Sequence, residues 1–538
     1  MDSMASAKDR SLPKSSLLQK VTPLEGRRFV VVSNRAPFAH VRDGAGVTVE
    51  KPPSGLTLAL EPMMQATQGT WIANASGNAD HEFVDERGHV RQTEEIGYHL
   101  RRLFLPPRLT EDFYTGFSNS ALWPLCHIAY HQPRFEERWW RAYVRANGLF
   151  AEAVADEIGE DPAVVFVQDF QLALLPAMIR ERRPQALIAQ FWHIPWPNPE
   201  AFRVCPWRRE LLHGLLGNDL LGFHLLYHCN NFLDTVDREL QVRVERESHG
   251  VMAQDRLTTV AAFPLSVDYA RIHRRVQQPD AREAAARLRR QRAQNRKLVL
   301  SVERMDYTKG ILERIGAIHR LFDRHPELKE TVSFVHIATP SRTGVRAYRD
   351  YTAAVDRAIL RVNTAHGRPD WQPVQAIHQY VEPEKIWNWY HAADAVVVSS
   401  LHDGMNLVSK EYVAAGRDDG VLFLSEFTGA SRELREAVFI NPYATDAFAD
   451  AMAAGLAMPE AERRERMRRL RLRVANADVG AWVHDILRAI HQREFDAQNA
   501  LFTPRARARG WKGPAAVRAG GGDLETAAAP GPARAGSY

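Results

Sequence analysis

Short, continuous apolar runs recur along the first half of the chain, and each has the length of a buried strand. Runs of this kind are typical of parallel sheets that are covered on both faces. Between the runs, apolar residues recur at helical spacing, as they do in 138–158. The predicted strands of this half are 29–35, 163–169, 186–194, 219–224 and 258–265.

The same pattern restarts near residue 297, and a helix with a clear apolar stripe is predicted at 310–326. Because strands and helices alternate in both halves, we predict an α/β fold. Two doubly wound, Rossmann-like domains are expected to face each other across a cleft. The predicted strands of the second half are 297–304, 331–338, 374–381, 394–400 and 420–427.

Composition sets the predicted domain boundaries. Residues 1–26 are polar and are expected to be loose. The first domain is expected to span 27–265, and the second is expected to span 266–477, beginning with a charged helical segment. A helix in 478–502 is expected to pack back on the first domain. The segment 503–538 is rich in Ala, Gly, Pro and Arg, which predicts a disordered tail.

The overall composition is that of a globular protein with more than one domain: 538 residues, 45% hydrophobic and 25% charged. The formal net charge is +5, and an arginine-rich segment at 463–473 contributes to it. Such a segment can bind nucleic acid, but the solvated face of a helix is the favoured interpretation. We therefore expect no nucleic-acid partner.

The three cysteines, Cys126, Cys205 and Cys229, are odd in number and widely spaced. This spacing argues against a disulfide framework and favours a reducing, cytoplasmic environment. The amino-terminal segment has no apolar core of signal-peptide length. No run approaches 18 apolar residues, so we expect no membrane partner.

The segment SVERMDYTKG, 301–310, follows a predicted strand and precedes a helix. Ligands of open α/β sheets bind at such strand ends. The segment places Arg304 and Lys309 on one short loop. Two cations beside the amino end of a helix form an anion site, because free backbone N–H groups and the helix dipole favour negative charge. The alternative is a surface loop in which Asp306 forms an ordinary ion pair.

The segment HDGMNLVSKEYVAAG, 402–416, is a second strand-to-helix junction. Gly404 permits close approach of the backbone, so the amides of 404–407 would face a ligand. With Asp403 on the loop, Glu411 lies about two turns into the helix and faces the same cleft. One carboxylate could accept sugar hydroxyls and the other a ribose. The alternative is a capping aspartate and a solvated glutamate.

Further candidates lie at or near other strand ends. Two arginines from different domains would bind a phosphate through charge-assisted hydrogen bonds. A histidine before two prolines is held in place by the rigid turn. Aromatic rings stack on sugar faces, although such rings are more often core residues. These candidates are Arg35, Arg342, His193, Asp169, Tyr114 and Trp123.

Several chemistries have no support in the sequence. No G-x-x-x-x-G-K-[ST] loop is present, so no P-loop ATPase is indicated. No Asp-x-Asp pair of the kind that holds a metal-bound nucleotide occurs, and no His/Cys cluster has metal-ligand spacing. We therefore expect no metal ion and no cofactor.

Seven segments of the chain resemble the UDP-forming trehalose-6-phosphate synthases, the retaining glycosyltransferases of family 20, and follow the order of that family over roughly residues 28–500. The resemblance implies the GT-B fold, with the active site between two Rossmann-like domains. It also implies transfer of glucose from UDP-glucose to the anomeric hydroxyl of glucose 6-phosphate with retention. The segments are VVVSNR, GFSNSALWPLCH, HIPWPNPE, DLLGFH, SVERMDYTKG, TPSR and DGMNLVSKEYVAA.

The resemblance also implies a role for each candidate residue. It implies catalytic roles for Arg304, Lys309, His193 and Asp403. The donor-binding residues would be Ser54, Gly55, Arg304, Lys309, Asp403, Gly404, Met405, Asn406, Leu407 and Glu411, with the two cations on the diphosphate and Glu411 on the ribose. The acceptor-binding residues would be Arg35, Tyr114, Trp123, Asp169 and Arg342.

The chain departs from the family pattern at four places. His402 stands where the family usually has an arginine, and GTWIANASG has only Trp71 where a second tryptophan is common. The loop PPSGLTLAL has Ser54-Gly55 where the family usually has paired glycines, and QDFQL at 168–172 stands where the family usually has HDYHL. Open alternatives are another acceptor, such as glycerol 3-phosphate or a cyclitol phosphate, another donor nucleotide, or a catalytically silent regulatory subunit. A homo-oligomer, dimer or tetramer, also stays open. No D-x-D-x-T segment is visible, so a separate trehalose-6-phosphate phosphatase is expected downstream.

Overall fold

The structure is a computed structural model. It describes residues 26–501 except 45, 52–54, 92–95, 130, 254 and 343. Of the predicted loose segment 1–26, therefore, only Gly26 is described. The predicted disordered tail 503–538 and Ser54 lie outside the described residues.

The first half of the chain forms a nine-stranded sheet and a separate two-stranded hairpin. Its strands are β1 (Arg28–Arg35), β2 (Ala39–Asp43), β3 (Gly46–Glu50), β4 (Thr70–Asn74), β5 (His99–Leu103), β6 (Ala163–Gln168), β7 (Leu187–Phe191), β8 (Leu220–Phe223), β9 (Arg243–Glu245), β10 (Gly250–Ala253) and β11 (Arg256–Ala262). The sheet order is β5-β4-β1-β6-β7-β8-β11-β10-β9, and β2 pairs with β3. In the nine-stranded sheet all pairs are parallel except those of β10 with its two neighbours, and the β2–β3 pair is antiparallel.

The second half forms a six-stranded, all-parallel sheet. Its strands are β12 (Lys297–Arg304), β13 (Val332–Thr339), β14 (Val374–Ile377), β15 (Ala395–Val398), β16 (Val421–Ser425) and β17 (Val438–Ile440). The order is β14-β13-β12-β15-β16-β17. Among the parallel strands of each sheet the strand order reverses at one place, between β1 and β6 in the first sheet and between β12 and β15 in the second. Ligands of open α/β sheets bind at the carboxyl ends of strands at such switch points.

Helices cover both sheets, which explains why strands such as β6 and β15 are buried along their whole length. A π-helical segment spans Glu111–Leu122. The α-helices are α1 (Gly55–Thr67), α2 (Pro107–Thr110), α3 (Trp123–His127), α4 (Glu137–Ile158), α5 (Leu175–Arg182), α6 (Pro199–Phe202), α7 (Arg208–Leu215), α8 (Leu226–Glu239), α9 (Tyr269–Val276), α10 (Pro279–Arg292), α11 (Ile311–Arg324), α12 (Arg346–His366), α13 (Pro383–Ala392), α14 (Leu407–Ala415), α15 (Thr445–Ala457), α16 (Glu460–Asn476) and α17 (Val479–Leu501).

The last helix, α17, crosses from the second sheet back to the first. Trp482 and Ile486 on this helix belong to the same buried cluster as Phe166 and Phe191 of the first sheet. The Trp482 indole N–H donates a hydrogen bond to the Phe263 carbonyl at 3.1 Å. Apolar side chains of α17 therefore complete a core that begins more than three hundred residues earlier in the chain.

The arginine-rich segment 463–473 lies on α16. Its side chains pair with acidic neighbours: Arg464 with Glu460 at 2.8 Å, and Arg473 with Glu436 at 3.0 Å. Arg471 bonds to the Asp418 carboxylate. These contacts agree with the favoured interpretation of this segment as a solvated, ion-paired helix face. In the part of the chain that the structure describes, no helix is long and apolar enough to cross a bilayer.

Candidate active site

A cleft of about 460 Å³ lies between the carboxyl ends of the two sheets, at both switch points. The predicted site residues that line it are Arg35, Tyr114, Trp123, Asp169, His193, Arg304, Lys309, Arg342, Asp403, Met405, Asn406, Leu407 and Glu411. One predicted residue that the structure describes, Gly404, does not line the cleft and instead packs against His193. Gly55 begins α1.

A buried carboxylate organises the cations on one wall of the cleft. Asp306 is fully buried and accepts a hydrogen bond from Arg342 Nη1 at 3.1 Å. Arg304 Nη2 lies 3.7 Å from the same carboxylate oxygen. Burial would raise the pKa of Asp306, but Arg342, Arg304 and Lys309 outweigh it and hold this pKa at about 2. Asp306 is therefore ionised and fixes two guanidinium groups side by side.

Trp123 supports the same two arginines from the other side. The Arg342 guanidinium carbon lies 4.0 Å from the centre of the Trp123 ring, and that of Arg304 lies 5.1 Å from it. Cations over an indole face are attracted by the ring quadrupole. Trp123 therefore acts as a platform that holds both guanidinium groups at the cleft.

A third arginine approaches from the first sheet. Arg35 Nη2 donates a hydrogen bond to the Tyr114 hydroxyl at 2.8 Å. Burial raises the pKa of Tyr114, but Arg35, Arg342 and Arg304 together outweigh burial and lower it. We call Arg35, Arg304 and Arg342 the arginine cluster. Three guanidinium groups around one phenol form a site for an anion with several charges.

A second ion pair lies beside Asp306 and is formed by Lys309, three residues later on the same loop, with Asp403. Lys309 Nζ lies 2.6 Å from Asp403 Oδ2, and the same oxygen accepts hydrogen bonds from Ser400 and Asn406 at 3.2 and 3.1 Å. Burial would raise the pKa of Asp403, but Lys309 and the hydrogen bonds hold this pKa well below its usual range. One carboxylate oxygen of Asp403 thus fixes the loop, while the other carries none of these three contacts.

Gly404 lies where a loop of the second sheet packs closely against the first sheet. A Cβ atom at this position would lie 2.6 Å from the backbone oxygen of His193 and 3.1 Å from the His224 ring. The His193 oxygen is itself fixed, because it accepts a hydrogen bond from His224 Nε2 at 3.0 Å. Only glycine therefore allows the loop 402–407 to lie this close to the strand end of the first sheet.

His193 and Asp169 meet at the ends of β7 and β6. Asp169 Oδ1 accepts a hydrogen bond from the His193 backbone N–H at 3.1 Å, and Gln168 Oε1 lies 3.0 Å from His193 Nε2. Burial lowers the pKa of His193 to about 3, so its ring is neutral near pH 7. Burial raises the pKa of Asp169 to about 6.

Glu411 lies on α14 at the cleft, with the Tyr390 hydroxyl 3.4 Å from its Oε2. Burial raises the pKa of Glu411 to about 7, because no cation neutralises its charge among the described side chains that affect it. Hydrogen bonds donated by a ligand, such as those from two neighbouring hydroxyls, would stabilise the ionised form of this buried carboxylate.

Two comparisons of the sequence with known proteins agree with this site geometry. A model of glycosyltransferase family 20 matches residues 27–492. The trehalose-6-phosphate synthase of Mycolicibacterium vanbaalenii is 38% identical over 478 residues, which cover 87% of this chain and 97% of that protein. This chain belongs to glycosyltransferase family 20. The trehalose-6-phosphate synthase of Mycobacterium avium is similar to the same degree, at 38% identity over 471 residues, which cover 86% of this family 20 chain and 95% of that protein.

Solved structures share the architecture of this family 20 protein. One, from E. coli, is bound with UDP-2-fluoro glucose; it has a TM-score of 0.77 and 29% identity and covers 86% of this chain and 99% of its own. Another is an α,α-trehalose-phosphate synthase (UDP-forming) from Burkholderia xenovorans in complex with glucose-6-phosphate. Its TM-score is 0.77 at 29% identity, covering 86% of this chain and 100% of its own. The predicted GT-B fold is confirmed.

Several cleft residues of this family 20 protein are absent from the sequence-based candidates. They are small or neutral side chains, which gave no charge or spacing signal, although most flank a candidate by one or two positions. Glu303 is the exception because it carries a charge. This charge is neutralised by Arg314 inside the second domain. These residues are Ser33, Asn34, Thr57, His127, Gln168, Gln171, His224, Val302, Glu303, Ser399 and Ser400.

Three non-glycine residues of the site have positive φ: Asn406 (87°), Asp169 (72°) and Arg342 (47°). Backbone conformations of this kind cost free energy and cluster at functional sites. Side-chain contacts hold Asn406 in place, because its amide oxygen accepts from the Ser409 N–H at 3.0 Å. The backbone strain of this family 20 site is thus located at residues whose side chains line the cleft.

One group of side chains in the described part of the chain could hold a metal ion. It consists of His319 and Asp323 on α11 and His366 on α12. None of the three lines the cleft. The cleft of this family 20 protein instead collects guanidinium and ammonium groups, which are suited to anions.

Replacing Glu411 with glutamine is expected to stabilise the fold at high pH. The pKa of Glu411 is raised from 4.5 to about 7, so the folded state prefers the neutral form. Wild-type stability therefore falls as pH rises from about 4.5 to above 7. At pH 8 the variant should gain about 1–3 kcal/mol in the free energy of unfolding. Denaturant unfolding at pH 8 and pH 4.5 measures this gain, which should shrink at the lower pH.

The matched control is Glu283→Gln on α10, where the carboxylate is exposed. Its free energy of unfolding should follow that of the wild type at both pH values. An equal gain in both variants, or a gain for Glu411→Gln that does not depend on pH, contradicts the prediction.

Proposed function

We propose that this protein is a retaining glucosyltransferase that moves glucose from UDP-glucose to glucose 6-phosphate and gives α,α-trehalose 6-phosphate and UDP. The observation that carries the proposal is the set of four cations that line one cleft between the two sheets. Arg35 reaches the cleft from the first sheet, and Arg304, Lys309 and Arg342 reach it from the second, where Glu411 also lies. Such a cleft suits two phosphorylated substrates that meet between the sheets.

The part of the cleft lined by Arg35, Tyr114 and Arg342 is proposed as the site of the acceptor. The Tyr114 hydroxyl and the guanidinium groups of Arg35 and Arg342 would bind the phosphate of glucose 6-phosphate. The Trp123 ring would keep Arg342 in place, since the guanidinium carbon lies 4.0 Å from the ring centre, and Asp169 would accept hydroxyls of the acceptor sugar. The E. coli and B. xenovorans relatives, solved with a UDP-glucose analogue and with glucose-6-phosphate, support this substrate pair.

The donor is proposed to bind on the second sheet. Arg304 and Lys309 would bind the diphosphate, and Glu411 the ribose hydroxyls. The loop 404–407 and the oxygen of Asp403 that makes no contact with Lys309 would bind the glucose. Ser54 and Gly55, which precede and begin α1, are proposed to approach the donor phosphates. Met405, Asn406 and Leu407 line the cleft and would contact the donor.

The proposed transfer takes place on one face of the donor sugar. The anomeric hydroxyl oxygen of the acceptor forms a bond to the anomeric carbon as the bond to the UDP oxygen breaks. The hydroxyl proton moves to the departing phosphate oxygen, which becomes part of UDP. Negative charge develops on that oxygen, and Arg304 and Lys309 would stabilise it in a preorganised way. Holding both substrates in line supplies much of the remaining acceleration.

Further properties are proposals that follow from this chemistry. The two cations on the diphosphate would make a metal ion unnecessary. The product keeps a phosphate, so a separate phosphatase would act on it. All three cysteines are reduced and buried, which supports a cytoplasmic location. We also propose that the protein assembles as a dimer or tetramer. Light scattering of the purified protein would measure its mass in solution.

The proposal is tested by incubating the purified protein with UDP-glucose and glucose 6-phosphate. UDP should form only when both are present, the product should have the mass of trehalose phosphate, and EDTA should not change the rate. A panel with glycerol 3-phosphate, a cyclitol phosphate, ADP-glucose and GDP-glucose should give slower turnover. Binding of UDP-glucose without turnover for any acceptor would instead indicate a catalytically silent regulatory subunit.

A further inference from the structure

We propose that Gln168 is a positioning residue of the transfer reaction. Its amide oxygen keeps the ring proton of His193 on Nε2, so Nδ1 is the nitrogen that accepts a hydrogen bond from the transferred sugar. This inference rests on the proposed function, because it concerns the glucose of the donor. It adds a residue to the site that the sequence singled out only as a departure from the family pattern.

Backbone pairing holds Gln168 and His193 next to each other. Gln168 is the last residue of β6 and is fully buried. In the parallel pair of β6 and β7, Gln168 lies opposite Phe191, two residues before His193. The Asp169 N–H donates to the Phe191 carbonyl at 2.8 Å, which extends the pairing beyond the strand end. The 3.0 Å contact between Gln168 Oε1 and His193 Nε2 is therefore supported by the sheet.

The chemistry of the two groups decides where the proton lies. A neutral imidazole has one N–H donor and one bare nitrogen, whereas an amide oxygen can only accept. Because burial keeps the His193 ring neutral near pH 7, Nε2 must carry the proton that faces Gln168. Nδ1 then has a lone pair and is the nitrogen left for a hydroxyl in the cleft that His193 lines.

The other groups near His193 do not set its ring proton. Asp169 accepts from the His193 backbone N–H, and His224 donates to the His193 backbone oxygen. Lys410, which lies behind His224, donates to the Leu265 carbonyl. In the part of the chain that the structure describes, Gln168 is the side chain that is hydrogen-bonded to the His193 ring.

The second atom of the Gln168 amide supports the same orientation. Its Nε2 is buried and has no hydrogen-bond partner among the described protein atoms, although the residue lines the cleft. A buried amide group without a partner is costly. A substrate oxygen in the cleft would satisfy this nitrogen while the amide oxygen stays on His193. The orientation that fixes the ring is therefore also the one that faces the amide nitrogen towards a ligand.

Gln168→Glu tests the inference, because glutamate has the same length but carries a charge. The carboxylate would stabilise the imidazolium form of His193 and raise its pKa. As pH falls from 8 to 5.5, Nδ1 should become protonated and lose its acceptor role. The quantity to measure is the ratio of the variant's kcat/KM for UDP-glucose to the wild-type value at the same pH. We expect this ratio to fall by up to about tenfold for each unit that the pH is lowered on the acid side. Gln168→Leu, the uncharged control, should lower kcat/KM about tenfold at every pH.

A second pair of variants separates this effect from the titration of other groups. Asp169 and Glu411 also titrate in this range, and the new carboxylate next to Asp169 raises the pKa of Asp169 further. The His193→Ala background contains this contribution but not that of His193, so Gln168→Glu should cause a smaller fall there than in the native background. The inference is wrong if the ratio stays flat in the native background, or if the same fall appears in the His193→Ala background.

An NMR measurement tests the inference directly and does not depend on enzymatic activity. Spectra of ¹⁵N-histidine protein, compared with those of His193→Ala, identify the ring nitrogens of His193. We expect a protonated Nε2 and a bare Nδ1 in the wild type, and protonation of both in Gln168→Glu at pH 6. A protonated Nδ1 in the wild type overturns the inference. Absence of turnover in the wild type would refute the proposed function but leave this result readable.

Discussion

Arg304→Ala is expected to lower kcat by about 10²–10³-fold, because the guanidinium group is proposed to stabilise charge that develops on the leaving phosphate. The fold should persist, since Asp306 keeps its 3.1 Å contact with Arg342 when Arg304 is removed. Steady-state kinetics with both substrates measures the loss. The loss should fall mainly on kcat rather than on the KM for UDP-glucose, because the interaction strengthens in the transition state.

The matched control is Arg346→Ala on α12, whose side chain is 85% exposed and pairs with Asp350 on the same helix. This variant should keep wild-type kcat and should change the free energy of unfolding by less than about 0.5 kcal/mol. Arg304→Lys should recover part of the lost rate, because it restores the charge without the planar fork. A kcat for Arg304→Ala within threefold of the wild-type value would contradict the proposed role.

Gly404→Ala should lower kcat/KM by about 10–100-fold. The added Cβ would lie 2.6 Å from the His193 backbone oxygen, so the loop 402–407 must move away from the first sheet. This movement separates Asp403 from His193 across the site of transfer. Overpacking should also cost about 1–3 kcal/mol in the free energy of unfolding. Kinetics and denaturant unfolding on the same preparation measure both effects.

Gly316→Ala is the control for this substitution. Gly316 lies inside α11, and a Cβ atom there would meet no atom within 4 Å. Alanine at this position should keep the activity and raise the free energy of unfolding by about 0.5–1 kcal/mol, because alanine favours the helix. Full activity of Gly404→Ala would show that the close approach at His193 is not needed for transfer.

Much of the fold is predictable because parallel strands buried on both faces leave a continuous apolar run. The run 297–304 corresponds to β12, and 163–169 corresponds to β6 except for its last residue. The short strands β9 and β10 form the last two strands at one end of the first sheet, and β2 and β3 form a separate hairpin. Polar residues are tolerated at such exposed strands, and these sequences gave no such signal.

The candidate site was predictable only as a set of separate loops. Strand ends that precede helices identified the segments with Lys309 and Asp403, and the structure brings these two residues into one ion pair. Contacts between distant segments gave no local signal. Asp306 appeared as an ordinary pairing partner, but it holds two arginines, one of them 36 positions away. The close packing of Gly404 on His193 depends on how two sheets face each other.

The position of α17 has a consequence for the order in which the chain folds during synthesis. The apolar side chains that α17 places against Phe166 and Phe191 leave the ribosome only after both sheets have been translated. Part of one apolar face of the first sheet therefore stays uncovered until then, although α1 already contributes Met63 and Met64 to the same cluster. The core of the second sheet is complete slightly earlier, with Val474 on α16. Domains usually fold from the amino end as they emerge. Here the half that is made first is expected to reach its final state last, and any nascent chain that stops before residue 479 would expose an aggregation-prone surface.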